Sequence, residues 1–248
     1  MTPREFKKIQ LEKLQKQKIK PHKKISNTFI QSAIHKSTAS ALKIIFYLAS
    51  LLEKEDINKE KELNTLLIDL RKMLKYTNLT AKDIRNNLKA MQQTSISFIN
   101  EDEKEELMIN LLPYIDFKWG KNQIEIKLFT KIAGLIIDVK KNYTFIDTSV
   151  LMNLKNKHSL RLLPILNVIS GYDKDIPKRK IFELNDLNDL FGTNYKRLQD
   201  VARKVLEPVK NDLNSTSKIS FEYEINFDNF GKGRPKATDV SIDVVIKN

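Results

Sequence analysis

Lys196, Arg197, Arg203 and Lys204 fall within nine residues in the stretch FGTNYKRLQDVARKVLEPVKNDL, residues 191–213. A guanidinium can bind guanine O6 and N7 through two hydrogen bonds, and an ammonium group neutralises phosphate. These are groups for reading and gripping a nucleic acid rather than for breaking a bond. Leu198, Val201, Ala202, Val205, Val209 and Leu213 recur at the i, i+3, i+4, i+7 spacing of a buried helical face. Lys196, Gln199, Asp200, Arg203, Lys204, Lys210 and Asn211 take the other face. Read as a helix, the stretch gives a reader from Tyr195 to Leu213, after a short strand and helix in KIFELNDLNDLFG with Gly192 in the turn, and it puts Lys196 and Arg203 two turns apart on one outward face. An ordinary amphipathic surface helix has the same pattern, so the next segment has to decide.

That segment alternates. KISFEYEINF places Ile219, Phe221, Tyr223, Ile225 and Phe227 on one side, and Val240, Ile242, Val244 and Ile246 repeat the period. Between them DNFGKGRPKA carries Lys232, Arg234 and Lys236 on a glycine-containing turn. Two helices followed by a hairpin with a basic tip is the winged-helix arrangement, a helix-turn-helix variant whose hairpin flanks the reader. GRPK also echoes a minor-groove AT-hook, but its place between two alternating strands favours a wing tip.

The first half repeats this order. Ala41, Leu42, Ile45, Leu48, Ala49 and Leu52 predict a central core helix, capped at Ser37 or Thr38 and preceded by a shorter helix from Ser26 or Asn27. Leu63 to Ile68 reads as a strand and DLRKMLKY as a small helix whose Arg71 and Lys72 can touch phosphate. Thr80 stands three residues before Asp83, a capping-box start for a helix with Ile84, Leu88 and Met91 on one face. Its remaining surface carries Lys82, Arg85, Asn86 and Lys89, a second basic, amide-bearing reader. SISFI and then a hairpin follow, with Ile115, Phe117 and Trp119 answering Ile124, Ile126 and Leu128 across GKN. The fold expected is α+β, with tandem winged-helix domains at 25–142 and 143–248 behind a basic arm, 1–24. At the start of the second domain, Lys155, Lys157, His158, Ser159 and Arg161 gather where a helix N-terminus favours an anion such as a phosphate.

The chain has 44 Lys and Arg against 31 Asp and Glu, a net charge of +13. An excess of that size points to a polyanionic partner, nucleic acid before membrane. Residues 1–24 hold nine basic and two acidic side chains, so the arm is a source of nonspecific phosphate affinity or simply a solvated tail. The absence of cysteine excludes disulfides and thiolate-bound metals and agrees with a reducing cytoplasm. ALKIIFYLASLL is too short and too interrupted to span a bilayer. No secretory signal heads the sequence.

Enzymatic alternatives lack their residues. A tyrosine nucleophile acting on phosphodiesters needs a metal held by a His-x-His pair, and His22, His35 and His158 are far apart. Gly120, Gly134, Gly171, Gly192, Gly231 and Gly233 do not offer the G-x-x-x-x-G-K spacing of a phosphate loop. Glu222 and Glu224 lie on the solvent side of their strand. No catalytic residue, metal or cofactor is expected. Helicase work then falls to other proteins.

KHSLRLLPIL, FELNDLNDLFGTNYKRLQDVARKVLEPVKNDLNSTSKISFEYEI and GKGRPKATDVSIDVVI together resemble the replication initiator (Rep) proteins of iteron-controlled, theta-replicating plasmids. SNTFIQSAIH extends the resemblance into the first domain, so it covers roughly residues 25–247. It implies a cytoplasmic plasmid initiator with two winged-helix domains on opposite ends of a direct repeat in duplex DNA. It further implies a monomer that opens the origin, in equilibrium with a homodimer, joined through the first domain, that represses its own promoter at an inverted repeat and so takes part in copy control. A host replication initiator and helicase are the implied protein partners. Tyr195, Lys196, Arg197, Arg203 and Lys204 correspond to the second-domain reader, Lys232, Arg234 and Lys236 to its wing, and Lys82, Arg85, Asn86 and Lys89 to the first-domain reader. A winged-helix transcriptional regulator without initiator activity is the rival reading. A gene lying beside an array of direct repeats distinguishes the two.

Overall fold

Thr38 starts the first core helix. Its hydroxyl accepts the Ala41 N–H at 3.1 Å, and the helix, α1 (Ala39–Leu51), then buries Leu42, Ile44, Ile45, Phe46, Tyr47 and Leu48 together. So apolar a run has no solvent face, and the other elements of its unit pack around it. The computed structural model describes residues 12, 14, 18–27, 29–30, 37–53, 57–93, 95–100, 105–137, 143–173, 175–228 and 235–247. They divide into two compact units, 1–148 and 149–248.

In the first unit, β1 (His22–Ser26) is followed by α1, β2 (Leu63–Asp69), α2 (Leu70–Thr77) and α3 (Ala81–Gln93). Next come β3 (Ser95–Asn100), β4 (Glu105–Asn110), β5 (Tyr114–Lys118), β6 (Gln123–Phe129), α4 (Thr130–Ile137) and β7 (Tyr143–Asp147). β2, β6 and β5 form an antiparallel sheet in that order, registered by Leu66↔Ile126 and Ile115↔Ile126. Alternation sends Leu66, Ile68, Ile124, Ile126 and Leu128 into the core. β3 and β4 pair only with each other, and β1 pairs with β7.

The second unit repeats the plan. It contains α5 (Thr148–Asn153, whose first residue belongs to unit one), α6 (Ser159–Ser170), β8 (Arg179–Glu183) and α7 (Leu184–Phe191). A long helix, α8, follows, with α turns at Leu198–Val201, a π turn at Ala202–Leu206 and α turns again at Glu207–Thr216. β9 (Ile219–Asp228) and β10 (Lys236–Ile246) close a sheet ordered β8-β10-β9. That is the same first, third, second order as β2-β6-β5. α6 is buried nearly all round, as α1 is, with Pro164 inside it. Phe182, Phe221, Val240 and Ile242 cover the core from the sheet side.

Several expectations change. Residues 22–24 are not part of a free arm, because they are β-paired with 145–147 and the Lys20 N–H is bonded to Ser50 O at 3.0 Å. The earlier part of the arm lies mostly outside the described residues. The expected boundary at 142/143 falls just before β7, whose pairing with β1 keeps it in the first unit. The β3–β4 hairpin was not anticipated: its second strand, EELMIN, opens with two glutamates and shows no clean alternation. Trp119 leaves the strand register and joins a 3₁₀ turn, Trp119–Lys121, closed by Asn122 at φ 51.

Candidate nucleic-acid interface

The α3 surface is a helix property. Ile84 and Leu88 are fully buried and Met91 nearly so, which turns Lys82, Arg85, Asn86 and Lys89 outward at i, i+3, i+4 and i+7, all exposed. The helix start is fixed by a reciprocal cap. Asp83 N–H donates to Thr80 Oγ1 at 3.1 Å, while Thr80 N–H and Oγ1–H donate to Asp83 Oδ2 at 3.1 and 2.6 Å. The Thr80 hydroxyl, then its N–H, holds the Asp83 carboxyl below its ordinary pKa. Asn87, at the edge of this face, accepts from Thr38 Oγ1 at 2.8 Å and donates to Asp83 O. In α2, Arg71 is exposed, whereas Lys72 is half-buried and its Nζ reaches Leu14 O at 3.4 Å.

In the second unit the reader is assembled differently. α8 begins at Leu198, so Tyr195, Lys196 and Arg197 do not lie on it, and the expected two-turn spacing of Lys196 and Arg203 along one helix does not exist. They form the turn between α7 and α8. Gly192 enters it at φ +62, a conformation glycine adopts without strain. Asn188 then organises it: Oδ1 accepts from Thr193 Oγ1 and Tyr195 N–H, and Nδ2 donates to Tyr195 O, each at 2.9 Å. Lys196 and Arg197 are exposed, and Tyr195, half-buried, lies under Lys204 Nζ at 5.3 Å from its ring. Arg203 and Lys204 project from the π turn, each 3.5 Å from Asp200. Pro208 suits that turn: it has no N–H for the carbonyl of Lys204, and one residue earlier Glu207 N–H bonds to Ala202 O, five residues back. Val201, Val205, Leu206 and Val209 hold the helix to the core.

The anion site expected at the start of α6 is already filled. Asp212 accepts the N–H groups of Lys155 and Asn156 at 3.3 and 3.0 Å, and Asn156 Oδ1 takes the His158 N–H. An internal carboxylate therefore occupies the place assigned to phosphate. His158 and Ser159 are buried, so neither can reach DNA; Lys157 alone of the three is exposed. The His158 ring stands edge-on to Phe191 at 5.3 Å. Burial, then Lys157 and Arg161, lower its pKa to about 4, which keeps it neutral. Arg161 turns inward and donates to Leu190 O at 2.7 Å.

At the wing of the second unit, Lys236 is exposed at the base, paired across from Asp228. Lys232 and Arg234 lie outside the described residues. The tip of the β5–β6 hairpin presents Trp119, 45% exposed and stacked on Phe117 at 5.0 Å. Among the described residues no group of three or more His, Cys, Asp or Glu is placed to hold a metal ion, and no helix is long and apolar enough to cross a membrane.

A helix, a strand, two helices and a sheet-forming hairpin, twice over, define a tandem winged-helix protein. Residues 23–167 match the family model described as Initiator Replication protein, WH1, and residues 181–243 match Initiator Rep protein, WH2. The chain belongs to the replication initiator (Rep) protein family. Among solved structures it is similar to the Pi initiator protein, crystallised in complex with iteron DNA. That likeness has a TM-score of 0.70 at 14% identity, over 93% of this chain and 99% of the other. No curated protein sequence matches the chain.

Proposed function

We propose that this initiator binds the direct repeats (iterons) of a replication origin in duplex DNA, using α3 in its first domain and the Tyr195–Arg197 turn with Arg203 and Lys204 in its second. The carrying observation is the recurrence of one design. In each half, basic side chains are carried on a helix whose other face is locked into a core, joined in the second half by those of the turn before it, and each half closes with a hairpin in the same strand order. The Pi initiator, which has this fold, was crystallised on iteron DNA. Lys82, Arg85, Asn86 and Lys89 face one end of the repeat. Lys157, Tyr195, Lys196, Arg197, Arg203, Lys204 and the wing lysines and arginine at 232, 234 and 236 face the other.

The proposal extends to partners. Binding helps to open the origin and recruits a host initiator and helicase. A homodimer built on the first domain represses the promoter at an inverted repeat. Of the β5–β6 hairpin only β5 is an outer strand, since β6 is paired on both sides, so pairing between chains would use β5 or β2.

Footprinting of the purified protein on the DNA flanking its gene tests the reading. Protection of tandem direct repeats, with log affinity falling by about 0.9 per neutralised phosphate against log salt, is expected. Equal protection of all sequences would refute it.

A further inference from the structure

We infer that Trp119 is a DNA contact: its ring packs on a deoxyribose at the groove edge while Lys121 pairs with the adjoining phosphate. The inference rests on the reading of the protein as a duplex binder, and it adds a wing contact in the first domain where the sequence had placed only a core strand.

Three observations carry it. First, Trp119 is presented rather than buried. It stacks flat on Phe117, with 7° between ring planes, yet stays 45% exposed at the hairpin tip. A large ring held rigid by its neighbour loses little freedom on contact, so its burial by a ligand is favourable.

Second, the charge around it suits a polyanion. The carboxylates of the adjoining strands, Asp116 and Glu125, both pair with Lys118, which leaves one negative charge among the three. Lys121 is exposed, and among the described residues it has no carboxylate partner. The same tip is tied to the start of α2, where Leu70 N–H donates to Asn122 O at 2.9 Å, and the next residue, Arg71, is also exposed.

Third, the other half of the chain repeats the tip in sequence. The β5–β6 turn reads Trp119-Gly120-Lys121, and the β9–β10 turn contains Phe230-Gly231-Lys232. Both turns join the second and third strands of sheets with the same strand order. An aromatic, a glycine and a lysine therefore follow one another in the sequence of both turns.

Trp119 is the single tryptophan of the chain, so its emission reports on this site alone. The full-length protein is titrated with a fluorescein-labelled mixed-sequence duplex about three helical turns long, with anisotropy following binding independently of the tryptophan. At saturation the acrylamide quenching of Trp119 should fall several-fold. Trp119→Ala should weaken all sequences by roughly fivefold or more, within the range of aromatic contacts to nucleic acid. Lys121→Ala should lower the salt slope by about 0.9 without changing the melting temperature. Binding by anisotropy with unchanged quenching overturns the inference and leaves the DNA-binding reading intact. Quenching that falls with protein concentration in the absence of DNA assigns the tip to a second copy of the chain and also overturns it. No binding to this duplex or to the direct repeats removes both.

Discussion

The two halves of this initiator share a sequence of elements and a strand order, but they hold their basic surfaces by different means. In the first, α3 carries the whole surface and its own cap, Thr80 with Asp83, fixes where it starts. The connection from α2 is short and closes at Asn78 in the left-handed region. In the second, three of the basic or aromatic residues precede the helix, in a turn held by Asn188 from the preceding helix. Two more sit on a π turn just before Pro208. The difference separates a surface fixed by helical periodicity from one fixed by tertiary hydrogen bonds. Mutations away from the surface should therefore act differently in the two halves.

The largest effects should be common to both. Leu88→Ala in α3 and Leu206→Ala in α8 each empty a fully buried site, and each should lower unfolding free energy by about 2–5 kcal/mol in urea titrations. Base preference of the folded fraction should not change. A variant that instead changed preference would show its leucine shaping the surface rather than the core.

Asn188→Ala should distinguish the halves. It removes three hydrogen bonds from the second turn, with an expected loss of about 1–3 kcal/mol in stability, and it frees Tyr195, Lys196 and Arg197. Affinity should fall with base preference loosened only at the end of the repeat read by the second domain. An unchanged affinity would mean that the turn takes no part in binding.

Thr80→Ala is the matching change in the first half. Loss of the cap should cost about 1 kcal/mol by thermal melting. Because the surface residues lie within the helix rather than before it, their preference should persist.

A smaller effect belongs to His158. Its folded pKa, about 4, lies below the ordinary value of 6.5, so the unfolded chain takes up the proton first as pH falls. Stability should decline from about pH 6.5 toward pH 4, and His158→Gln should flatten that slope in melting temperatures measured at pH 7 and pH 5. An unchanged slope would place the acid sensitivity elsewhere.

The first-half surface was legible because a capping box and a 3.6-residue period determine it with no help from distant residues. In the second half Gly192 marked the turn and the period located α8, but the helix was begun three residues too early, since nothing local shows that Tyr195 to Arg197 belong to the turn. That turn depends on Asn188, which reads in sequence as one polar residue of an ordinary amphipathic helix. Lys157, His158 and Ser159 looked like a phosphate site because Asp212, more than fifty residues later, was not visible beside them. Trp119 was assigned to a strand by alternation; its exposure follows from a 3₁₀ turn that begins one residue earlier than the glycine suggests. Winged-helix order itself was legible twice, because buried core helices and alternating strands are local patterns.

The central claim is that each half reads its own part of one site, and selection from a random duplex library tests it most directly. The wild-type protein should enrich a motif about two helical turns long with two blocks of preferred bases. Arg85→Ala and Arg203→Ala, both on exposed positions, should each weaken binding by about 1–3 kcal/mol and relax a different block. A single block, or the same block relaxed by both variants, would contradict a division of the site between the two domains.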